Sequence, residues 1–88
     1  MLRFVGWVRI GFRRWIPATI PGSDPPTQVY AEHANAHTAE DTCRVLTRNW
    51  LAAQKKARTI DVERDGEVIA LLAGTPPWLP HPAPESDP

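Results

Sequence analysis

The 88-residue chain is long enough for one domain with a modest core, so a partner or dimer mate is a natural source of added stability. Ten basic residues balance ten acidic ones, and no overall charge therefore draws the protein to nucleic acid or to a membrane. A single cysteine excludes an internal disulfide, and no run approaches the ~20 apolar residues of a membrane span. Since arginines also interrupt any signal-peptide core, we expect a cytoplasmic protein without a membrane partner.

A β-hairpin is the first predicted element, because β-branched and aromatic residues dominate 4–10 and 15–20 on either side of a turn at 11–14. If Ile10 pairs with Trp15, one face carries Val5, Trp7, Ile16, Ala18 and Ile20. The other face then carries Phe4, Val8, Ile10 and Trp15. Both faces are apolar and one helix covers only one of them, so the C-terminal tail, another chain or a ligand must cover the second.

A loop and a third strand follow the hairpin. Prolines at positions 21, 25 and 26 predict the loop, because proline cannot donate to a sheet ladder. Residues 27–33 predict a strand with Val29 and Ala31 on one side and with Tyr30 and Glu32 on the other.

The central segment from Ala39 to Ala57 predicts an amphipathic helix. Apolar residues recur there at spacings of four and three, the repeat that aligns side chains along one helix face. The stripe that must be buried contains Ala39, Cys43, Leu46, Trp50, Ala53 and Ala57. Thr38 is the predicted N-cap, and basic residues at positions 55, 56 and 58 complement the helix dipole at the other end.

The dipeptide Asp65-Gly66 predicts a two-residue turn between two further strands within Thr59 to Leu72. Pairing the residues on either side of this turn places four aliphatic side chains on one face: Ile60, Val62, Ile69 and Leu71. We expect this face to pack against Leu46 and Trp50 of the helix.

The chain is predicted to divide into a single domain at 1–73 and a proline-rich C-terminal tail at 74–88. Frequent prolines exclude a helix or a central strand in the tail. The predicted fold class is therefore α+β, with an antiparallel sheet in the order β-β-β-α-β-β packed on one amphipathic helix.

The sequence offers two candidates for a chemical site, a histidine pair and Cys43, and neither is complete. His33 and His37 precede Glu40 and Asp41, but no third histidine or cysteine cluster supports a metal site. Cys43 as a nucleophile would need a nearby base and a lowered pKa, whereas its place on the apolar stripe favours burial. We therefore predict a protein that is not an enzyme and that needs no metal, cofactor or small-molecule substrate.

The predicted function is a small non-enzymatic binding module that acts on another protein or on its own copy, as a homodimer, an inhibitor or an adaptor. The predicted partner-binding residues lie in the first hairpin and the tail: Trp7, Arg9, Phe12, Arg13, Arg14, Trp15, Trp78 and Leu79. Trp78 either folds back over the open face of the hairpin or serves as an extended ligand with an aromatic anchor. The alternative function is nucleic-acid binding, in which the hairpin's arginines contact phosphates and its rings stack on unpaired bases.

Overall fold

The computed structural model describes residues 1–59 and 66–78. Within these ranges the elements are β1 (Leu2–Gly11), β2 (Arg14–Pro17), β3 (Tyr30–His33), α1 (Ala36–Ala57) and β4 (Glu67–Leu72). The four strands form one antiparallel sheet that packs on the helix, which confirms the predicted α+β class and the order β-β-β-α-β. The strand predicted before Asp65-Gly66, with Ile60 and Val62, lies outside the described residues.

Strand β1 is the centre of the sheet: it runs for ten positions without a proline, and half of its residues are β-branched or aromatic. Strand β4 pairs with residues 4–9 along one edge of β1. The other edge is shared, since β3 pairs with residues 2–5 and β2 with residues 7–11. Gly6 lies between the part of β1 that pairs with β3 and the part that pairs with β2. Its amide donates to the Val29 carbonyl at 2.9 Å, and its carbonyl accepts from the Ala18 amide at 3.1 Å.

The helix packs on the face of β1 that carries Phe4, Gly6 and Val8, which we call the helix face. Ala70 lies directly opposite Gly6 and is almost completely buried. A methyl group on Gly6 would overlap the Thr47 hydroxyl, so only glycine allows the helix to approach this closely. The core cluster consists of Ala31, Cys43 and Ala70, with Phe4 packed against it.

The buried stripe of α1 differs from the predicted one. The buried positions are spaced by four: Ala39, Cys43, Thr47 and Leu51. Leu46 is 42% exposed, Ala53 and Ala57 are also exposed, and Trp50 is half-buried. Thr47 tolerates complete burial because its hydroxyl donates to the Cys43 carbonyl at 2.7 Å.

The ends of α1 are set by capping and charge. The N-cap is Asn35, whose side chain accepts a hydrogen bond from the Thr38 amide at 3.1 Å, so the prediction of Thr38 as the cap is wrong. Lys55 and Lys56 occupy the last turn, and this confirms the predicted basic C-terminal end. Arg58 ends the helix in the left-handed conformation.

The first hairpin forms as predicted, but its register differs by one residue. Its turn contains Phe12 and Arg13, and the pairing shifts between Arg9 and Gly11, so Trp15 lies opposite Arg9 rather than Ile10. A shift of one residue moves side chains to the other face. Trp15 therefore shares the face of Trp7 and Arg9, whereas Ile16 joins the helix face.

The prediction of which side of β4 faces the helix is also wrong. Ala70 faces the helix, whereas Ile69 lies opposite Trp7 and Leu71 lies opposite Val5 on the other side of the sheet. We call that side the outer face. In β3 and at Val29 just before it, the structure confirms the predicted alternation, with Val29 and Ala31 buried and Tyr30 and Glu32 exposed.

Candidate functional site

Two arginine–glutamate pairs border the outer face. Arg3 lies 3.0 Å from Glu32 and Arg9 lies 3.2 Å from Glu67. Both pairs follow from the sheet register, which places Arg3 opposite Glu32 and Arg9 opposite Glu67. Between the two pairs lie the apolar side chains of the outer face: Val5, Trp7, Ile69 and Leu71.

Aromatic rings flank the same arginines. The Arg3 guanidinium lies 4.4 Å from the centre of the Tyr30 ring, and the Arg9 guanidinium lies 5.9 Å from the centre of the Trp15 ring. Both distances lie within the range of cation–π attraction, so each arginine is held by a ring as well as by a carboxylate.

Residues 73–78 return across the outer face after β4. The Ala73 amide donates to the Arg3 carbonyl at 2.9 Å, which starts the crossing. Trp78 meets Trp7 edge to face, with ring centres 6.1 Å apart and planes at 78°. Pro77 is buried, but Trp78 remains 65% exposed. The chain therefore folds back over the hairpin and still presents most of this indole to solvent; Leu79 lies outside the described residues.

Trp7 lies under this crossing segment and is half-buried. Its indole Nε1 is buried, and within 1–59 and 66–78 no acceptor bonds to it. A buried N–H without an acceptor costs about 1–3 kcal/mol, and an acceptor that reached this nitrogen would recover part of that free energy. A cleft of about 470 Å³ lies beside it, with Arg3, Gln28, Tyr30 and Thr75 in its walls.

The hairpin tip carries the most exposed aromatic residue of the site. Phe12 is 82% exposed, and the Arg13 guanidinium lies 5.1 Å from the centre of its ring. Arg13 has a positive φ of 60°, which turns the backbone at the tip, and Arg14 is exposed at the start of β2. The predicted hairpin residues therefore occupy two connected regions: the outer face holds Trp7, Arg9 and Trp15, and the tip holds Phe12, Arg13 and Arg14.

Prediction from sequence missed a second apolar surface. A groove of about 970 Å³, here called the edge groove, lies between α1 and the outside edge of β3. Leu46, Trp50 and Ala53 form its helix wall, although the sequence pattern placed them in the core. The repeat of four in Ala39, Cys43, Thr47 and Leu51 was the available signal, but it includes the polar residue Thr47, whereas the predicted stripe contains only apolar residues.

The histidines predicted as weak metal candidates have separate partners. The His33 Nδ1 accepts from the Asn35 amide at 2.9 Å, and the His37 Nε2 lies 3.1 Å from the Asp41 carboxylate. Glu40 pairs with Arg44 at 2.9 Å. Among the described residues, no group of three or more histidine, cysteine or acidic side chains could hold a metal ion.

Cys43 is completely buried on the side of α1 that faces the sheet. Burial raises the pKa of its thiol, and this outweighs the opposing effects of the Thr47 hydroxyl and the Arg44 charge. The thiol therefore stays protonated at neutral pH, whereas a nucleophilic cysteine requires the thiolate.

The length of α1, 22 residues, would be sufficient to cross a bilayer. It carries charged side chains along its length: Glu40, Asp41, Arg44, Arg48, Lys55 and Lys56. In the part of the chain that the structure describes, no helix is both long enough and apolar enough for a membrane span. No protein-family model matches this chain, and no curated protein or solved structure matches it.

Proposed function

We propose that this protein is a non-enzymatic binding module that contacts another protein, or its own copy, through the outer face and the hairpin tip. The observation that carries the proposal is Trp78, which is anchored on Trp7 and is still 65% exposed. Protein interfaces are enriched in aromatic residues and arginine. Their strongest contacts are aromatic or arginine anchors surrounded by groups that exclude water.

The pattern of charge favours a protein partner over nucleic acid. The outer face balances Arg3 and Arg9 with Glu32 and Glu67 at close range, so it offers phosphates little net attraction. Such paired charges instead favour a partner with a matching pattern of both signs.

A second copy of the chain would have such a pattern. Two-fold symmetry brings the same patch of each subunit together, so an arginine of one copy can face a glutamate of the other. A homodimer is therefore one form of the proposed function, and an inhibitor or an adaptor that binds a different protein is another.

The nucleic-acid alternative rests on the hairpin tip alone. There the exposed Phe12 ring lies under the Arg13 guanidinium, with Arg14 beside them. A ring and two cations suit an unpaired base and its phosphates.

The proposal assigns no catalytic role to the chain, because its one thiol is buried and protonated. We also propose the cytoplasm as its compartment. A chain whose only cysteine is a buried free thiol fits a reducing environment.

Light scattering on the purified chain over a range of concentrations tests the homodimer first. We expect Trp78→Ala to weaken any dimer and Val45→Ala to leave it unchanged. Val45 is a suitable control because it is an exposed apolar residue, 51% accessible, on the helix and away from the outer face.

If the chain is a monomer, the tagged protein is used to capture partners from its native cell extract, with mass spectrometry and nucleic-acid staining as readouts. The proposal expects one protein that is retained by wild type and by Val45→Ala and is lost with Trp78→Ala. Recovery of nucleic acid alone, or equal capture by all three proteins, would overturn it.

A further inference from the structure

Strand β3 has an edge without a neighbouring strand in the described part of the chain. The Val29 carbonyl accepts from Gly6 of β1, so the peptide groups of Val29 and Ala31 point towards β1. Alternation then directs the N–H and C=O groups of Tyr30 and Glu32 away from β1. Among residues 1–59 and 66–78, β1 is the strand that pairs with β3, so these four groups lie outside that ladder. They form a short row of donors and acceptors at the sheet edge.

The edge groove runs beside this row. Three consecutive residues of β3 line it, from Tyr30 to Glu32, so the groove follows the strand edge itself. Leu46 and Trp50 of the helix stand on one side of it, and Ile20 of the loop before β3 closes it. Side chains of a strand point alternately to its two faces. A strand added here would therefore place every second side chain in the groove.

The groove walls contain little charge. Glu32 is the one charged residue among the described residues that line it, and its carboxylate already pairs with Arg3. The remaining polar wall residues are uncharged: Thr19, Ser23, Thr42, Asn49 and Gln54. Burying a charged side chain in this groove would leave it without a partner, so the inward side chains of an occupant should be apolar.

We infer that the edge groove binds an extended segment of a partner protein, which joins the sheet as a strand beside β3 and inserts alternate apolar side chains against Leu46 and Trp50. Backbone hydrogen bonds to Tyr30 and Glu32 supply affinity, and the groove selects the side chains. This surface meets the outer face only at Tyr30 and Glu32, and its other walls lie on α1 and on the loop before β3, so the inference goes beyond the proposed function.

A second copy of the chain fits this groove poorly. If β3 of one copy paired with β3 of another, the side chain directed inward from its middle would be that of Ala31. A methyl group fills little of a groove of about 970 Å³. Larger aliphatic or aromatic side chains on a different protein would fill it better.

Selection of phage-displayed random short peptides against the whole chain tests the inference. We expect enriched peptides to alternate apolar and polar residues. They should bind Leu46→Asp at least about tenfold more weakly than wild type and should bind Val45→Asp as wild type. Leu46 and Val45 have similar exposure, 42% and 51%, but only Leu46 lines the groove, and circular dichroism checks that both variants fold.

Backbone methylation of an enriched peptide separates strand addition from simple apolar contact, and it needs no variant of the protein. Methylating the amides that face β3 should abolish binding, whereas methylating the intervening amides should preserve it. In the wild-type complex the Tyr30 and Glu32 amides should exchange hydrogen more slowly. The inference would be overturned if both methylated peptides bound equally well or if selection yielded no alternating peptide. It would also be overturned if exchange at these two amides slowed only because the chain associates with itself in the absence of peptide.

Discussion

Gly6 is the residue at which one added methyl group should change the stability of this protein most. The methyl carbon of Gly6→Ala would overlap the Thr47 hydroxyl, so the helix would have to move away from the sheet. We expect the free energy of unfolding to fall by about 1–3 kcal/mol in urea titrations, as for other overpacked cores. Thr47→Ala in the same chain should recover part of the loss, because it removes the overlapping oxygen.

Gly11→Ala is the matched control for this prediction. A methyl group on Gly11 would meet its nearest neighbour, the Arg14 side chain, at 3.6 Å, which is an ordinary contact. We expect the control to change the unfolding free energy much less than Gly6→Ala. Equal effects at the two glycines would contradict the close approach of α1 to β1.

Cys43 should make stability depend on alkaline pH. Burial raises the pKa of its thiol in the folded state above the ordinary value for cysteine, so the unfolded chain loses this proton first as the pH rises. Stability is therefore fully retained below the unfolded pKa and declines as pH rises from there through the folded pKa. Urea titrations at about pH 7 and about pH 10 should show a larger decline for wild type than for Cys43→Ala. Identical declines would contradict this account.

For the helix and the hairpin, local sequence is insufficient to predict which face of the element is buried. Two overlapping stripes run along α1, one through Leu46 and Trp50 and one through Thr47 and Leu51, and helical periodicity alone permits both. In the hairpin, one extra residue of β1 between Arg9 and Gly11 moves Trp15 to the outer face. Neither feature changes the type of element, but each decides which side chains are available to a partner.

The cap of α1 provides a test at the same scale. Asn35→Ala removes the side-chain oxygen that accepts from the Thr38 amide, and we expect a loss of about 1 kcal/mol in unfolding free energy. Asn35→Asp should retain stability, since aspartate also accepts this bond and complements the helix dipole. Asn49→Ala, inside the helix, should be neutral or slightly stabilising. A loss at Asn49 as large as at Asn35 would contradict the assignment of the cap.

The charge distribution of the whole molecule predicts weak binding to nucleic acid. Of the predicted contact residues, Arg13 and Arg14 at the tip lie apart from the arginine–glutamate pairs of the outer face. Two phosphate contacts correspond to a slope of about −1.4 for log affinity against log salt on single strands. Fluorescence anisotropy with a labelled single-stranded oligonucleotide measures this slope. A much steeper slope that is lost with Arg13→Glu and Arg14→Glu together would instead support the nucleic-acid alternative.

The sequence by itself determined the kinds of elements and their order over the described residues. Alternation and residue type were sufficient for β1, β2 and the two sides of β3, and the apolar repeat was sufficient to locate α1, because these signals are local. They also predicted that one apolar face of the hairpin would lie outside the helix contact, but they placed Trp7 and Trp15 on opposite faces, whereas both lie on the outer face.

Only the tertiary structure decided which surfaces face one another. Gly6 and Ala70 have little or no side chain, so they leave a depression on the sheet that Thr47 fills. This contact rotates α1 about its axis relative to the predicted orientation and leaves Leu46 outside the core. The same packing turns Ile69 and Leu71 to the outer face and leaves a groove beside β3. The physical reason is that burial depends on the shape of the opposing surface, which residues distant in sequence supply together.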